Sequence, residues 1–218
     1  MPFTHISHDF PVLKQVNADG TRYYQTPDGQ NYPSITTVLS NYKKEGILEW
    51  RKKVGEEKAN QISRQATTRG TSVHALIEDY LHNLETQKDA LPNAKSLFVQ
   101  MKDALKHVDN IHCLETKLFS HELKVAGTVD CIAEYKGVLS VIDFKTAKRL
   151  KRKADIGGYF LQATAYAKMF EELTGINIPQ IVILIGVDSS NFSQVLVEKP
   201  ENYIDELKFE LDNYRKGS

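Results

Sequence analysis

The sequence predicts an α/β fold with a mixed central β-sheet flanked by helices, preceded by an N-terminal hairpin and a helical arm. The order of the patterns predicts it: an amphipathic helix precedes three consecutive strands, and a helix, two strands and a last helix follow. The composition agrees, because 41% of the 218 residues are hydrophobic, 26% are charged and only 19 are Gly or Pro (12 and 7). We therefore expect one folded domain over residues 1–218.

The first residues, 1–33, predict a hairpin region. Strand patterns flank the turn sequence Asn17-Ala18-Asp19-Gly20, and Pro27-Asp28-Gly29 predicts a second turn. The opening lacks the apolar stretch of a signal peptide and the arginines of a transit peptide. No apolar run approaches the length of a membrane span, so we expect a soluble cytoplasmic protein.

Residues 34–69 predict a helical arm. Ser34 is the expected N-cap of a short helix that ends near Tyr42. The stretch from Glu45 to about Thr68 is helical but has few apolar residues, and a break or bend is expected near Gly55. A helix without a wide apolar face to bury against a core is typical of an arm or a lid.

Residues 70–218 are expected to form the core. Apolar residues recur at helical spacing on its first helix: Val73, Leu76, Ile77, Tyr80, Leu81 and Leu84. After a second helix, from about Asn93 to Val108, three successive segments read as strands: CLETKLFS, VAGTVDCIAEY and GVLSVIDFKTA. A helix from Gly158 that ends at Gly175, two further strands and a final helix complete the domain.

Charged residues interrupt two of these strands. Asp130 lies inside one, and Asp143 and Lys145 lie two residues apart in the next, so that the latter two share a face. Two close carboxylates favour a hard divalent cation between them, and a lysine beside it can stabilise charge on a phosphate. The alternative is structural, with an ion pair between Asp143 and Lys145 at a strand end and Asp130 in a turn.

The segments Gly127–Asp130 and Val141–Thr146 resemble the paired acidic motifs of the PD-(D/E)xK nuclease superfamily. Three further features resemble its RecB-like branch: the helix segment Arg69–Glu78 with its histidine, an acid at Glu115, and the Q-x-x-x-Y pattern of Gln162 and Tyr166. The stretch Tyr32–Leu39 also resembles the opening of the mitochondrial genome maintenance exonucleases and their phage relatives.

The resemblance implies a restriction-endonuclease-like core with a catalytic metal. Asp130, Asp143 and the carbonyl of Phe144 are expected to bind Mg²⁺ or Mn²⁺, with His74 as an additional ligand. Lys145 is expected to orient or deprotonate the attacking water, with a pKa depressed by burial near the metal. With two cysteines, the chain lacks the four that hold the iron–sulfur cluster of some relatives.

Four residues receive supporting roles: Glu78, Glu115, Gln162 and Tyr166. Glu78 lies one turn beyond His74 and either fixes the histidine tautomer, holds a second metal or is an exposed helix residue. Gln162 and Tyr166 share a helix face, where they hydrogen-bond near Lys145, contact the DNA backbone or simply pack.

The net charge of zero excludes a globally basic nucleic-acid binder but not a local basic site. Six of the nine residues from Lys145 to Lys153 are basic, which indicates either a phosphate-binding loop or a solvated one. The expected DNA-binding residues are Lys148, Arg149, Lys151, Arg152, Lys153, Arg69 and Trp50. Further candidates are arm cations and two stacking residues: Arg51, Lys52, Lys53, Arg64, Tyr42 and Tyr159.

The resemblance favours a metal-dependent DNA exonuclease that acts on single strands or free ends in replication, recombination or repair. The polar arm suggests an arch through which a single strand threads. Two alternatives remain at this stage: a structure-selective endonuclease of the resolvase type, and a nucleic-acid-binding module without activity. Inactive relatives usually lack the acid or the lysine, whereas Asp130, Asp143 and Lys145 are all present.

Overall fold

The computed structural model describes residues 2–18, 21–42, 44–86 and 89–217. It is a mixed α/β structure in which helices flank a five-stranded mixed sheet, and a smaller three-stranded sheet forms near the N-terminus. The predicted fold class is confirmed at this level. None of the described helices is long and apolar enough to cross a membrane.

The small sheet is antiparallel and consists of β1 (Lys14–Ala18), β2 (Thr21–Gln25) and β3 (Asn31–Pro33). Of the first predicted turn, Asp19 and Gly20 lie outside the described residues. The second turn is confirmed, because Gly29 takes a φ of 87° between β2 and β3. Buried residues shared with the large sheet join the two sheets: Leu13, Tyr24, Tyr32, Phe119 and Ala126.

The arm begins with α1 (Ile35–Val38), whose N-terminus is capped by Ser34, since Ser34 Oγ accepts the Thr37 N–H at 3.0 Å. After a 3₁₀ turn come α2 (Lys44–Val54) and α3 (Glu56–Leu81). Gly55 lies between them with a φ of 84°, so the expected break is confirmed.

The boundary expected at residues 69/70 falls inside α3, which is one helix of 26 residues. The sequence suggested two helices because the apolar stripe starts only at Val73. A single glycine, Gly70, costs a helix only about 1 kcal/mol, and no proline interrupts the segment. The arm and the first core helix are therefore continuous.

The remaining elements are α4 (Pro92–Leu105), β4 (Val108–Ser120), β5 (Val125–Tyr135), β6 (Val138–Ala147), α5 (Gly157–Thr174), β7 (Gln180–Val187), β8 (Gln194–Glu198) and α6 (Ile204–Lys216). The large sheet has the order β4-β5-β6-β7-β8 and is antiparallel except for the parallel pair of β6 and β7. Helix α5 connects these two strands, as parallel neighbours require.

The large sheet separates two hydrophobic cores. One lies against α3 and α4, and the other lies against α5, with α6 packed on α5. Helix α5 ends as predicted at Gly175, which takes a left-handed φ of 73°. The sheet is thereby fixed on both faces, and α3 and α5 come close to β6 from opposite sides.

Candidate active site

Asp130 and Asp143 face each other where β5 and β6 separate. The paired register of the two strands ends at Cys131 and Ile142, and the next step along it places the two aspartates opposite each other. The Phe144 N–H donates to Oδ2 of Asp130 at 2.8 Å. The Asp130 side chain thus replaces a backbone acceptor at the point where the ladder stops.

Glu115 extends this pair into a row of three carboxylates. On β4, the pairs of Leu114 with Cys131 and of Thr116 with Val129 place Glu115 opposite Asp130. Its φ of 46° is left-handed, a conformation that costs a residue with a side chain on the order of 1–3 kcal/mol.

The Thr116 side chain stabilises this irregular backbone. Its Oγ1 accepts the Leu114 N–H at 3.2 Å and donates to the Leu114 carbonyl at 3.1 Å. The strand is thereby held in the conformation that Glu115 requires. A strained backbone of this kind at a cluster of charged groups is typical of functional sites.

His74 lies over the row from α3. Its Nε2 donates to the Phe144 carbonyl at 2.8 Å, so that Nδ1 faces Glu115 Oε1 at 3.7 Å and Asp130 Oδ1 at 3.8 Å. Burial alone lowers the pKa of His74, but the hydrogen bond to Glu115 and the charge of Asp130 outweigh it and raise the pKa to about 9. Without a metal ion, the protonated imidazole therefore balances the charge of two of the carboxylates, and it would have to lose its Nδ1 proton to bind a metal.

Lys145 pairs with the third carboxylate. Its Nζ donates to Asp143 Oδ1 at 2.6 Å, and it lies 5.2 Å from the centre of the Tyr159 ring. Burial lowers the pKa of Lys145, but the charges of Asp143 and Asp130 outweigh it, so the pKa is raised. The depressed lysine pKa expected beside a metal ion is thus opposed by these two carboxylates.

Asp143 is the most buried acid of the row. Asp143 is 1% exposed, and its Oδ2 has no hydrogen-bond partner among the described residues. Burial raises its pKa to about 6, and the nearby Lys145 opposes that rise only in part. A buried carboxylate oxygen without a partner is costly, which points to a further group at this position.

The donor set fits a hard divalent cation. One ligand atom each of His74, Glu115 and Asp130 lie within 4.8 Å of one another. Carboxylate oxygens are the ligands that Mg²⁺ and Mn²⁺ prefer, and an imidazole is compatible with Mn²⁺. Glu115, expected only in a supporting role, belongs to this cluster, whereas Glu78 and the expected ligand Asp143 do not.

Gln162 and Tyr166 lie on α5, behind the row. Tyr166 is 2% exposed and interacts with Gln162 and, electrostatically, with Asp130. A Cβ atom at Gly127 would lie 2.8 Å from Tyr166 Oη. Of the roles weighed for Tyr166, packing agrees with this burial, and a contact with the DNA backbone does not.

Arg69 was expected to contact DNA, but the structure places it inside the protein. It is 7% exposed, and its guanidinium pairs with Asp188 at 2.7 Å and donates to Thr146 Oγ1 at 3.3 Å. These contacts join α3 to the ends of β6 and β7. The side chain is therefore a clamp between elements and is not exposed to a phosphate.

The basic loop is exposed, but two of its cations have partners. Arg152 pairs with Asp155 and Lys153 with Glu198. In the part of the chain that the structure describes, the other three have no ion-pair partner: Lys148, Arg149 and Lys151. These three are the better candidates for phosphate contacts.

The three residues expected to stack on unpaired bases differ in how exposed their rings are. Trp50 on α2 is 37% exposed. Tyr42 donates to Glu206 at 3.0 Å and packs against the backbone of Gly157 and Gly158. Tyr159 is half-buried beside Lys145. Its contact with the lysine could not be anticipated from the sequence, because no local pattern relates residues on β6 and α5.

The chain is similar to a mitochondrial exonuclease. It is 32% identical to human mitochondrial genome maintenance exonuclease 1 over 116 residues, which cover 52% of this chain and 33% of that protein. The Xenopus tropicalis and mouse proteins of the same name are 28% and 26% identical, over 55% of this chain each and 37% and 34% of their own lengths. The matches thus span about a third of these relatives, and no protein-family model matches the chain.

Proposed function

We propose that the chain is a metal-dependent nuclease that hydrolyses phosphodiester bonds in DNA. The observation that carries the proposal is the row of Glu115, Asp130 and Asp143, with His74 over one end and Lys145 at the other. The similarity to proteins named as exonucleases supports it. Within this class we propose an exonuclease of the RecB-like PD-(D/E)xK branch, acting on single-stranded DNA or free ends.

The row, His74 and the Phe144 carbonyl would hold Mg²⁺ or Mn²⁺. Such an ion makes bound water more acidic and offsets the charge of the phosphate that is attacked. Lys145 lies beside the buried carboxylate and brings a positive charge to the same place, where it can orient a water or face a phosphate oxygen. Asp143 is buried and the Asp130 side chain is only 12% exposed, so these two charges are largely kept out of bulk water, which strengthens their interactions.

The proposal is tested with DNA oligonucleotides labelled at the 5′ or the 3′ end, single- and double-stranded, with Mg²⁺, Mn²⁺ or EDTA. We expect short labelled products with either metal and none with EDTA. The end from which label is lost gives the polarity, and closed circular single strands distinguish exonuclease from endonuclease action. Binding of DNA without cleavage of any substrate would refute the proposed activity and favour a binding module.

Added Mn²⁺ is expected to stabilise the folded chain. A ligand that binds only the folded state at 100 times its dissociation constant contributes about 2.7 kcal/mol, and here the ion also relieves repulsion between carboxylates. The measurement is the shift of the unfolding midpoint with Mn²⁺ concentration, reversed by EDTA. Asp130→Asn is expected to abolish the shift, whereas Asp103→Asn, an exposed acid on α4, keeps it.

The variants Arg149→Gln and Arg69→Gln are expected to change different properties: the first lowers DNA affinity, and the second lowers the stability of the fold. Arg149 is exposed, so its loss should lower DNA affinity and reduce the slope of log affinity against log salt by about 1. Arg69 is buried in its clamp, so its loss should destabilise the fold and leave the salt slope unchanged. Fluorescence anisotropy at several salt concentrations measures the slope. Equal slopes for wild type and Arg149→Gln would contradict the phosphate contact.

A further inference from the structure

A cavity of about 340 Å³ lies next to the candidate active site. It is bordered by the arm, the basic loop and the first turns of α5. Apolar side chains line part of its surface: Leu39, Ile47 and Ile156. The volume is at the lower end of the range for small-ligand pockets, so it suits a single small ring system and no double helix.

The cavity and the catalytic lysine share one side chain. Tyr159 borders the cavity, and the same ring lies 5.2 Å from Lys145 Nζ. A group in the cavity that touched this ring would therefore lie one side chain away from the charge expected to face the phosphate. A larger cavity, of about 620 Å³ between α4 and the β7–β8 connection, has none of the site residues in its lining.

The rim of the cavity combines a cation with polar groups. Lys151 borders it, and Gln194 fixes the Lys151 backbone through hydrogen bonds to its N–H (3.0 Å) and carbonyl (2.6 Å). Thr36 and Gln162 add hydroxyl and amide groups to the lining. Asp155, which also borders the cavity, is paired with Arg152.

We propose that this cavity receives one unpaired nucleobase of the strand whose phosphate lies at Lys145. A nucleobase is flat and aromatic with a polar edge, which matches apolar walls, a tyrosine ring and a few polar groups, while Lys151 matches the charge of an adjacent phosphate. The inference rests on the proposed function, because it places the scissile phosphate at Lys145. The cavity thereby positions the strand, and the base next to the cleaved bond fills it.

The test uses single-stranded oligonucleotides with one abasic residue, placed at successive positions from the end that is digested. Base stacking on protein aromatics changes affinity roughly 5- to 150-fold per base, so one abasic position is expected to slow hydrolysis about tenfold. Ile47→Trp fills the cavity from its exposed lip, since Ile47 is 53% exposed. Leu48→Trp is the matched control, because Leu48 is 46% exposed on the same helix and does not border the cavity.

In the wild type and in Leu48→Trp, hydrolysis should be slow for the oligonucleotide whose abasic residue lies at one particular position. In Ile47→Trp, the intact strand should be slowed about tenfold, and the abasic residue should have no further effect. Equal rates at all abasic positions, or the same position-dependent loss in Ile47→Trp, would overturn the proposal.

Affinity is measured in parallel with EDTA, by anisotropy on the same oligonucleotides. If the wild type cleaves no DNA, the proposed function fails, and the affinities then decide on the cavity. A loss of affinity at one abasic position that disappears in Ile47→Trp supports a base pocket, whereas equal affinities refute it.

Discussion

Lys145→Met is expected to slow DNA hydrolysis about 10²- to 10⁴-fold. The variant loses the positive charge that lies beside the buried carboxylate, and groups that stabilise charge or transfer protons in a reaction contribute factors of this size. Single-turnover hydrolysis of an end-labelled oligonucleotide measures the loss. Lys136→Met is the control, because Lys136 is exposed in the turn at the opposite end of β6 and has no role in the proposed site. A Lys145→Met rate within tenfold of wild type would contradict the assigned role.

Stability must be separated from catalysis in this experiment. Removal of one partner from a buried ion pair costs about 3–5 kcal/mol, and Asp143 is buried against Lys145. The double variant Asp143→Asn/Lys145→Met removes both charges and should recover part of the free energy of unfolding. It should not recover activity. Recovery of both would mean that the pair only stabilises the strand end.

Gly127→Ala is expected to destabilise the fold by about 1–3 kcal/mol, which lowers the unfolding midpoint by about 2–12 °C. The new Cβ would lie 2.8 Å from Tyr166 Oη, 2.9 Å from Tyr166 Cε1 and 3.3 Å from Ile35 Cγ2. All of these atoms belong to buried side chains, so none can move away into solvent. Thermal and urea unfolding measure the loss.

Two further variants test this explanation. Gly127→Ala/Tyr166→Phe removes the hydroxyl that clashes and should recover part of the stability, which a double-mutant cycle quantifies. Gly70→Ala should instead stabilise α3 by about 0.5–1 kcal/mol, because nothing lies within 4 Å of its added Cβ. A Gly127→Ala protein as stable as wild type would show that the space between Gly127 and Tyr166 is larger than the structure indicates.

Much of the fold could be predicted because the signals were local. The helix stripe of α3, the three strands β4 to β6 and the end of α5 at Gly175 each follow from side-chain periodicity or turn chemistry within a few residues. The continuity of α3 could not be predicted, since a polar stretch with an internal glycine suggests a boundary. The backbone is nevertheless helical through Gly70, where the buried Arg69 joins the helix to Asp188 and Thr146.

The site could be predicted as a set of residue types, but not as an arrangement. Asp130, Asp143, Lys145 and His74 do lie together. Glu115 joins the cluster because its backbone is left-handed and is held there by the Thr116 side chain. No local sequence pattern predicts this conformation. The basic loop was expected to act as a whole, yet Lys153 is paired with Glu198, which lies far along the sequence.

The unbroken α3 makes the arm a lever with a built-in fulcrum. At a rise of about 1.5 Å per residue, the stretch from Glu56 to the Arg69 clamp is about 20 Å long, and the stretch from Arg69 to His74 is about 7.5 Å. A pull of about 3 Å on the far end would therefore shift the imidazole by about 1 Å, roughly five times the tolerance of about 0.2 Å on metal–ligand distances. Arg51 on α2 pairs with Glu56 and donates to Asn60 Oδ1 at 2.7 Å, both on α3, so a movement of α2 would be passed to this lever across Gly55.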